Sequence, residues 1–446
     1  MKISKAYSSK NYINYSFIIA LSLFSAFLSP QLNTAVLAIA LVLSFYSAKY
    51  AIISISLSWL LTSLNPGIFE SSSINIFLKQ GIYFATLAGV ALRGGQYGDR
   101  GLFTKAQGAV LVFACFVIVN SIFVSYYPVV SILKVVLFTI GLLSVMLCYR
   151  ELSPDKWQDI EEWFISLFIV ITIVSLPLIV MTYGYTRNGS GFQGILNHPQ
   201  LFGTIYAVFT AFVAGRMWQF KRYRWDYVLL TILGIAYIYF SESRTGLLGL
   251  VLSFGFAILF SFQKSVKIFL LNKKFVIPIF VLAIIIIPYY GQIASGLTDF
   301  LLKSQQYEQV DEALQASRGN LFLASYNNFL ENPVIGNGFG IASDPLSMQI
   351  ERDPILGMPI SASIEKGVVP MALLEENGLF GSFIFFVFLY YLARKPFRQK
   401  EFYLIWPILA VLAINLGESA IFSFNAWAGI LWLIIFHHVK RSSFNA

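Results

Sequence analysis

The chain is a succession of uninterrupted apolar runs separated by short clusters of charge. A helix needs roughly 20 apolar residues, at about 1.5 Å each, to cross the hydrocarbon of a bilayer. Backbone in lipid must satisfy its own hydrogen bonds, which leaves helices or closed barrels. A barrel strand alternates apolar and polar side chains. These runs do not alternate, so the expected fold is an all-α polytopic membrane protein with about 12–14 transmembrane helices. Composition agrees. Of 446 residues, 57% are apolar and 12% charged, against about 25% charged in soluble domains. That leaves too little polar surface to cover a soluble globule. An ordinary cytoplasmic enzyme, a disordered chain, a disulfide scaffold and an outer-membrane barrel are excluded.

The candidate spans centre on 16–28, 31–48, 50–64, 74–92, 106–126, 129–148, 160–183, 198–217, 227–240, 246–262, 275–290, 371–393, 402–416 and 424–438. The first two form one hairpin if Pro30 only breaks them. No A-x-A site follows the first run, so it does not read as a cleaved signal. The net charge of +9 is explained by topology rather than by nucleic acid. With the N-terminus inside, alternation places most Lys and Arg in inner loops and most acids outside. The expected location is the cell (inner) membrane, with both termini cytoplasmic and the large loop extracytoplasmic.

Four regions follow from this reading. Residues 1–150 are N-terminal transmembrane helices. Residues 151–290 are transmembrane helices with arginine-bearing outer loops. Residues 291–369 form one large extracytoplasmic loop, and residues 370–446 are C-terminal transmembrane helices. A loop of that length in a compact protein is usually functional. Cys115 and Cys148 both fall in spans, with no C-x-x-C and no disulfide pattern, and read as small packing residues.

Charges near membrane depth need a reason. Arg244, in Ser241-Glu242-Ser243-Arg244-Thr245-Gly246, sits between two apolar runs with no room for a long loop. It is either an interfacial Arg paired with Glu242 or an anion site for a lipid-linked phosphate, to which its planar fork can donate twice. Arg187 lies in a glycine-rich loop leading to Asn197-His198-Pro199-Gln200. Pro199 suits a first helical turn, and a helix N-terminus there would favour an anion; the other reading is a plain turn with a capping Asn. Arg318 starts a helix over 318–330, with Leu321, Phe322, Ser325 and Phe329 at helical spacing and Asn332-Pro333 as its stop. Gly336-Asn337-Gly338-Phe339-Gly340 is alone a weak phosphate signal. Pro370 opens the next span, so Glu375 and Glu376 fall in its early turns, where a helix N-terminus stabilises negative charge. Glu365, beside Lys366, lies just outside the membrane and is a candidate general base. The His437-His438 pair lies at the cytoplasmic end and reads as interfacial.

In this order, the pieces resemble the O-antigen ligase / O-antigen polymerase superfamily. The resemblance rests on Asn197-His198-Pro199-Gln200-x-x-Gly203, Ser241-x-Ser243-Arg244-Thr245-Gly246 and Arg318. It continues in Glu331-Asn332-Pro333-Val334-Ile335-Gly336-Asn337-Gly338-Phe339-Gly340 and ends in Glu376-x-Gly378-Leu379-Phe380-Gly381. It covers about 185–385; the first 150 residues match in hydropathy only. The resemblance implies a multi-span glycosyltransferase. Such an enzyme moves a glycan from a polyprenyl diphosphate carrier to an acceptor hydroxyl on the outer face of the membrane. It inverts the anomeric centre and uses neither metal nor cofactor. Arg244 and Arg318, with Arg187 behind them, inherit the diphosphate role. Asn197, His198 and Glu242 support them, and a base in the long loop activates the acceptor. The implied partners are a polyprenyl-diphosphate-linked glycan donor, a glycan or lipid acceptor, membrane lipid and other polysaccharide assembly proteins, but no nucleic acid.

One departure matters. Ligases of this family carry a loop His shortly before the Glu-x-Gly motif, whereas Ser361-Ala362-Ser363-Ile364-Glu365-Lys366-Gly367 has none. Glu365 is expected to replace it, with Lys366 orienting it or helping with charge and Glu376 as the alternative base. This favours a polymerase, or a transferase with another acceptor, over a lipid A–core ligase. A close acidic pair, Glu351 and Asp353, has no obvious further metal ligand. The rival readings are a transporter or flippase of lipid-linked sugars and an inactive scaffold member of the family. A transporter would place charges near the bilayer midplane, where only Lys79 and Lys134 fall.

Overall fold

The computed structural model describes residues 9–94, 101, 103–220, 225–261, 319–352, 357, 359–362, 364, 366–424 and 427–444. Among them the chain forms fourteen α-helices: α1 (Ser9–Leu28), α2 (Pro30–Tyr46), α3 (Ala48–Thr62), α4 (Ile74–Leu92), α5 (Thr104–Val124), α6 (Pro128–Glu151), α7 (Pro154–Ser175), α8 (Pro199–Phe220), α9 (Trp225–Phe240), α10 (Arg244–Ser261), α11 (Asn320–Glu331), α12 (Val369–Gln399), α13 (Phe402–Ile414) and α14 (Ala428–Phe444). Eight are long and apolar enough to cross a membrane: α1, α4, α5, α6, α7, α8, α10 and α12. The expected run at 275–290 lies outside the described residues, as do Arg318 and Glu365.

Local chemistry sets the helix ends. Pro30 occupies the first turn of α2, where its missing N–H costs nothing, and the Ser29 hydroxyl accepts from the Leu32 N–H at 3.1 Å. Ser47 caps α3 in the same way. The expected span 160–183 does not stay α-helical throughout. α7 stops at Ser175, and the chain continues as two 3-10 turns, Leu176–Val180 and Thr182–Tyr185. Pro177 explains the change, because it cannot donate within an α-helix.

α14 is buried on every face from Ala428 to Ser442, which places it at the centre of the bundle. It packs on α3, α6, α12 and α13, while α1 lies against α7. The N-terminal and C-terminal helices therefore share one core. α1, α2, α5, α9 and α10 turn large apolar side chains outward, among them Phe17, Val42, Phe123, Leu229 and Leu259, as helices facing lipid do.

The end of the bundle away from the long loop closes on buried charge. Arg216 pairs with Glu161, and Trp157 stacks on His437 with ring centroids 4.4 Å apart. The Arg441 guanidinium lies 4.6 Å from the Trp157 ring centroid. His437 and His438 are buried there rather than interfacial, because they ride on the central helix.

Candidate active site at the loop end

Two assemblies meet at the other end of the bundle. The first is built by the chain before α8 and by the α9–α10 turn. Asn65 is its anchor. Fully buried, it donates to the carbonyls of Tyr183 (2.8 Å) and Gly194 (3.0 Å) and accepts from the Gly67 N–H and the Thr186 hydroxyl. Buried Gln193 donates to Thr186 and accepts from the Arg187 N–H at 2.9 Å. These bonds hold a loop that presents Arg187 on its surface. The Arg187 side chain is exposed and makes no hydrogen bond or ion pair among the described residues.

The loop lies on the α9–α10 turn. The Phe192 N–H donates to the Phe240 carbonyl, and Ser190 donates to the Glu242 carboxylate at 3.0 Å. Gly203 in α8 and Gly246 in α10 cross so closely that a Cβ on either would press on the other strand of contact: Ser241 and Ser243 for Gly203, the Gly203 carbonyl for Gly246. Small residues of this kind let helix backbones approach within a membrane. His198 has a different task from the capping Asn expected beside it. Its Nδ1 accepts from the Gln200 N–H at 3.1 Å and so caps α8, while Asn197 is exposed and its N–H donates to the Ser63 carbonyl. Arg244 is the first residue of α10 and is half-buried.

The second assembly is a broken helix clasped by a loop. α12 departs from helical geometry at Gly378, with φ +62° and ψ −170°. The backbone groups freed there are taken up by the Pro333–Gly340 segment. The Leu379 and Phe380 N–H groups donate to the carbonyls of Pro333 and Val334, and the Asn337 and Gly338 N–H groups donate to those of Glu375 and Glu376. Gly336 has a φ of +75° and lies flat on the Glu376–Asn377 peptide, leaving no room for a side chain. The glycine cluster that read as a phosphate signal is thus a docking strip for α12. Gly378→Ala is expected to cost at least about 1–3 kcal/mol, since this backbone region is nearly closed to other residues and the new methyl would meet the Val334 carbonyl. Gly108→Ala in α5, where nothing crowds the position, should be neutral or slightly stabilising. Thermal unfolding of the two variants in detergent checks both.

Four charges gather at this clasp. Lys366 Nζ lies 2.6 Å from Glu375 Oε2 and 3.8 Å from Glu376 Oε1, all three side chains being buried. Glu375 also accepts from Asn328 of α11 at 2.8 Å, and the same Asn328 amide donates to the Ser343 carbonyl. Glu376 accepts from the Gly340 N–H at 2.9 Å, while Lys134 donates to the Gly340 carbonyl at 2.7 Å. The acids are therefore held by a lysine, an amide and a loop N–H rather than by a helix N-terminus. Lys134 is the seventh residue of the 24-residue α6; it belongs to this end and not to the membrane midplane. Lys79, the other lysine read as mid-span, is buried and donates to Thr62 at 3.1 Å.

The two assemblies are joined. The Val369 N–H at the start of α12 donates to the Asn415 carbonyl, and Gly417 packs on Thr245, next to Arg244. Thus the loop and turn that carry Arg187, Asn197, His198, Glu242 and Arg244 lie at the same end of the bundle as Lys366 and Glu376. Sequence reading missed Asn65, Lys134, Asn328, Ser343 and Asn415. Their only signal was polarity at the end of an apolar run, which many capping residues share. Among the described residues, no three His, Cys, Asp or Glu side chains converge as metal ligands. Glu351 stands on a small hairpin, Ile350–Arg352 paired with Pro359–Ala362.

No curated protein is significantly similar to this chain in sequence. Residues 228–359 match the model of the O-antigen ligase family. The matched stretch begins in α9, contains Arg244, Arg318 and the glycine strip, and ends before Lys366 and Glu376. This match supports the O-antigen ligase / O-antigen polymerase superfamily as the family that the chain's motifs resemble.

Proposed function

We propose that the protein transfers glycan units from a polyprenyl diphosphate carrier to an acceptor hydroxyl on the outer face of the cell membrane. The setting is O-antigen, exopolysaccharide or capsule assembly, and extension of a lipid-linked glycan is favoured over transfer to a separate lipid. The match over residues 228–359 supports glycan transfer of the O-antigen ligase/polymerase type in general. The observation that carries the finer reading is the junction at Thr245–Gly417 and Val369–Asn415. It brings the arginine of α10 to the same end as the buried Lys366–Glu375–Glu376 cluster.

In the proposed step the acceptor oxygen attacks the anomeric carbon, and the bond from that carbon to the diphosphate oxygen breaks. The bonding pair leaves with the polyprenyl diphosphate, and the acceptor proton passes to a carboxylate. Arg244, Arg318 and Arg187 are assigned to the diphosphate, where charge develops as the bond breaks. The N-terminus of α10 adds its own attraction for an anion. Glu365 is assigned the proton, with Glu376 as the alternative. Attack from the face opposite the diphosphate inverts the centre, and no metal is invoked.

The test is the full chain reconstituted in lipid, given a polyprenyl-diphosphate-linked oligosaccharide in the presence of EDTA, with products sized by gel. A ladder of longer lipid-linked glycans is the expected result. Release of the carrier only when a separate acceptor is added would make the protein a ligase. A donor left unconsumed under every condition would overturn the proposal in favour of transport.

A further inference from the structure

α11 is amphipathic in an inverted sense. Its polar residues Ser325 and Asn328 face the protein, where they meet Ser343 and Glu375. Its outward face carries Phe322, Leu323, Tyr326 and Leu330, which are 43%, 47%, 42% and 55% exposed, with exposed Asn327 at the edge of the stripe. Phe322 and Tyr326 lie parallel, with an interplanar angle of 3°. A helix bordering water would turn the other way, with its apolar stripe toward the core.

The stripe does not end with the helix. Val334 follows it, 62% exposed. The backbone bonds from Leu379 and Phe380 to Pro333 and Val334 then bring it against the outward face of α12. There Leu379, Phe380 and Phe383 are 57%, 55% and 66% exposed, on a helix long and apolar enough to cross a membrane. The apolar surface of the loop helix thus adjoins, through Val334, the exposed apolar face of a candidate membrane-spanning helix.

We infer that α11 lies in the membrane interface at the loop end, with its Phe322–Tyr326–Leu330 stripe seated on the lipid surface of that leaflet. An amphipathic helix with aromatic and aliphatic residues on one face lies in the plane of the interface in this way, its apolar side sunk about 5–10 Å into the headgroup and acyl boundary. The aromatic pair suits this depth, where rings are favoured. The inference is independent of the proposed reaction. It implies that the Asn328–Glu375–Lys366 cluster is held at headgroup level.

Single cysteines at Tyr326→Cys, Leu330→Cys and Glu351→Cys, each in a Cys115→Ala background, test it with the full chain in phosphatidylcholine–phosphatidylglycerol vesicles. Cys148 is buried and stays unlabelled. With a bimane label, positions 326 and 330 are expected to be quenched severalfold more by nitroxide-bearing phosphatidylcholine than by aqueous iodide. Position 351, a charged and exposed site on the hairpin, should show the reverse. Iodide quenching at 326 and 330 equal to that at 351 would overturn the inference. So would protection of both positions from both quenchers, because the stripe would then be covered by protein. Two independent labelling sites keep the test valid should one variant fold poorly.

Discussion

Replacing Lys366 with Met should destabilise the protein by about 3–5 kcal/mol, the usual cost of removing one partner of a buried ion pair. Lys366 and Glu375 are almost wholly removed from solvent, with side chains 1% and 2% exposed. Each alone would be a desolvated charge. Without the lysine, Glu375 keeps two neutral partners, the Asn328 amide and the Ser325 hydroxyl, and stands beside Glu376, a second carboxylate. The double variant Lys366→Met/Glu375→Gln removes both charges and is expected to recover most of the loss. A buried pair replaced by neutral groups is often near neutral in stability. The measurement is thermal unfolding in detergent of the wild type, the single and the double variant. A double variant no more stable than the single would mean that the pair is not the unit holding the clasp together.

Arg244→Ala is expected to lower the rate of glycan transfer by about 10²–10³, the typical effect of removing one preorganised donor from developing negative charge. Arg244→Lys should also fall well short of wild type, because lysine keeps the charge but not the bidentate fork. Both are read in the reconstituted assay, with membrane insertion and size-exclusion behaviour checked alongside. Arg244 is half-buried at the first residue of α10. A wild-type rate in both variants would remove Arg244 from the diphosphate site. Loss of folded protein in both would return it to a structural part.

The sequence made the helices legible because a membrane span is a local property. Some 20 apolar residues identify themselves wherever their neighbours lie, and thirteen of the expected runs fall on described helices, although the run at 160–183 leaves α-helical geometry after Ser175. α11 was legible from its period and its Asn332-Pro333 stop. The clasp was not, because its partners are distant in the chain. Lys134 and Gly340 are 206 positions apart, and Asn328 and Glu375 are 47 apart. Nothing local marks Lys134 as a loop ligand. Gly336 and Gly378 were visible as glycines, but which of them would bind a ligand and which would receive another stretch of backbone depends on the contact each makes. Lys366 pairs with Glu375, nine positions further along the chain.

The break at Gly378 also changes where α12 enters the bilayer. Two adjacent glutamates in a transmembrane helix would oppose insertion, by about 2.5–3.5 kcal/mol for a charged side chain at the helix centre. From Leu379 the helix runs uncharged to Ala393 and ends on Arg394, Lys395 and Arg398, a short span whose long basic side chains can reach the headgroups. The turns before Gly378 are tied instead to Pro333–Gly340 and Lys366. During biosynthesis the translocon need therefore accept only the second part. The first part, with both acids, can fold afterwards against a loop that has already emerged. The glycine thus separates an insertion signal from a folding unit within what looks like one helix.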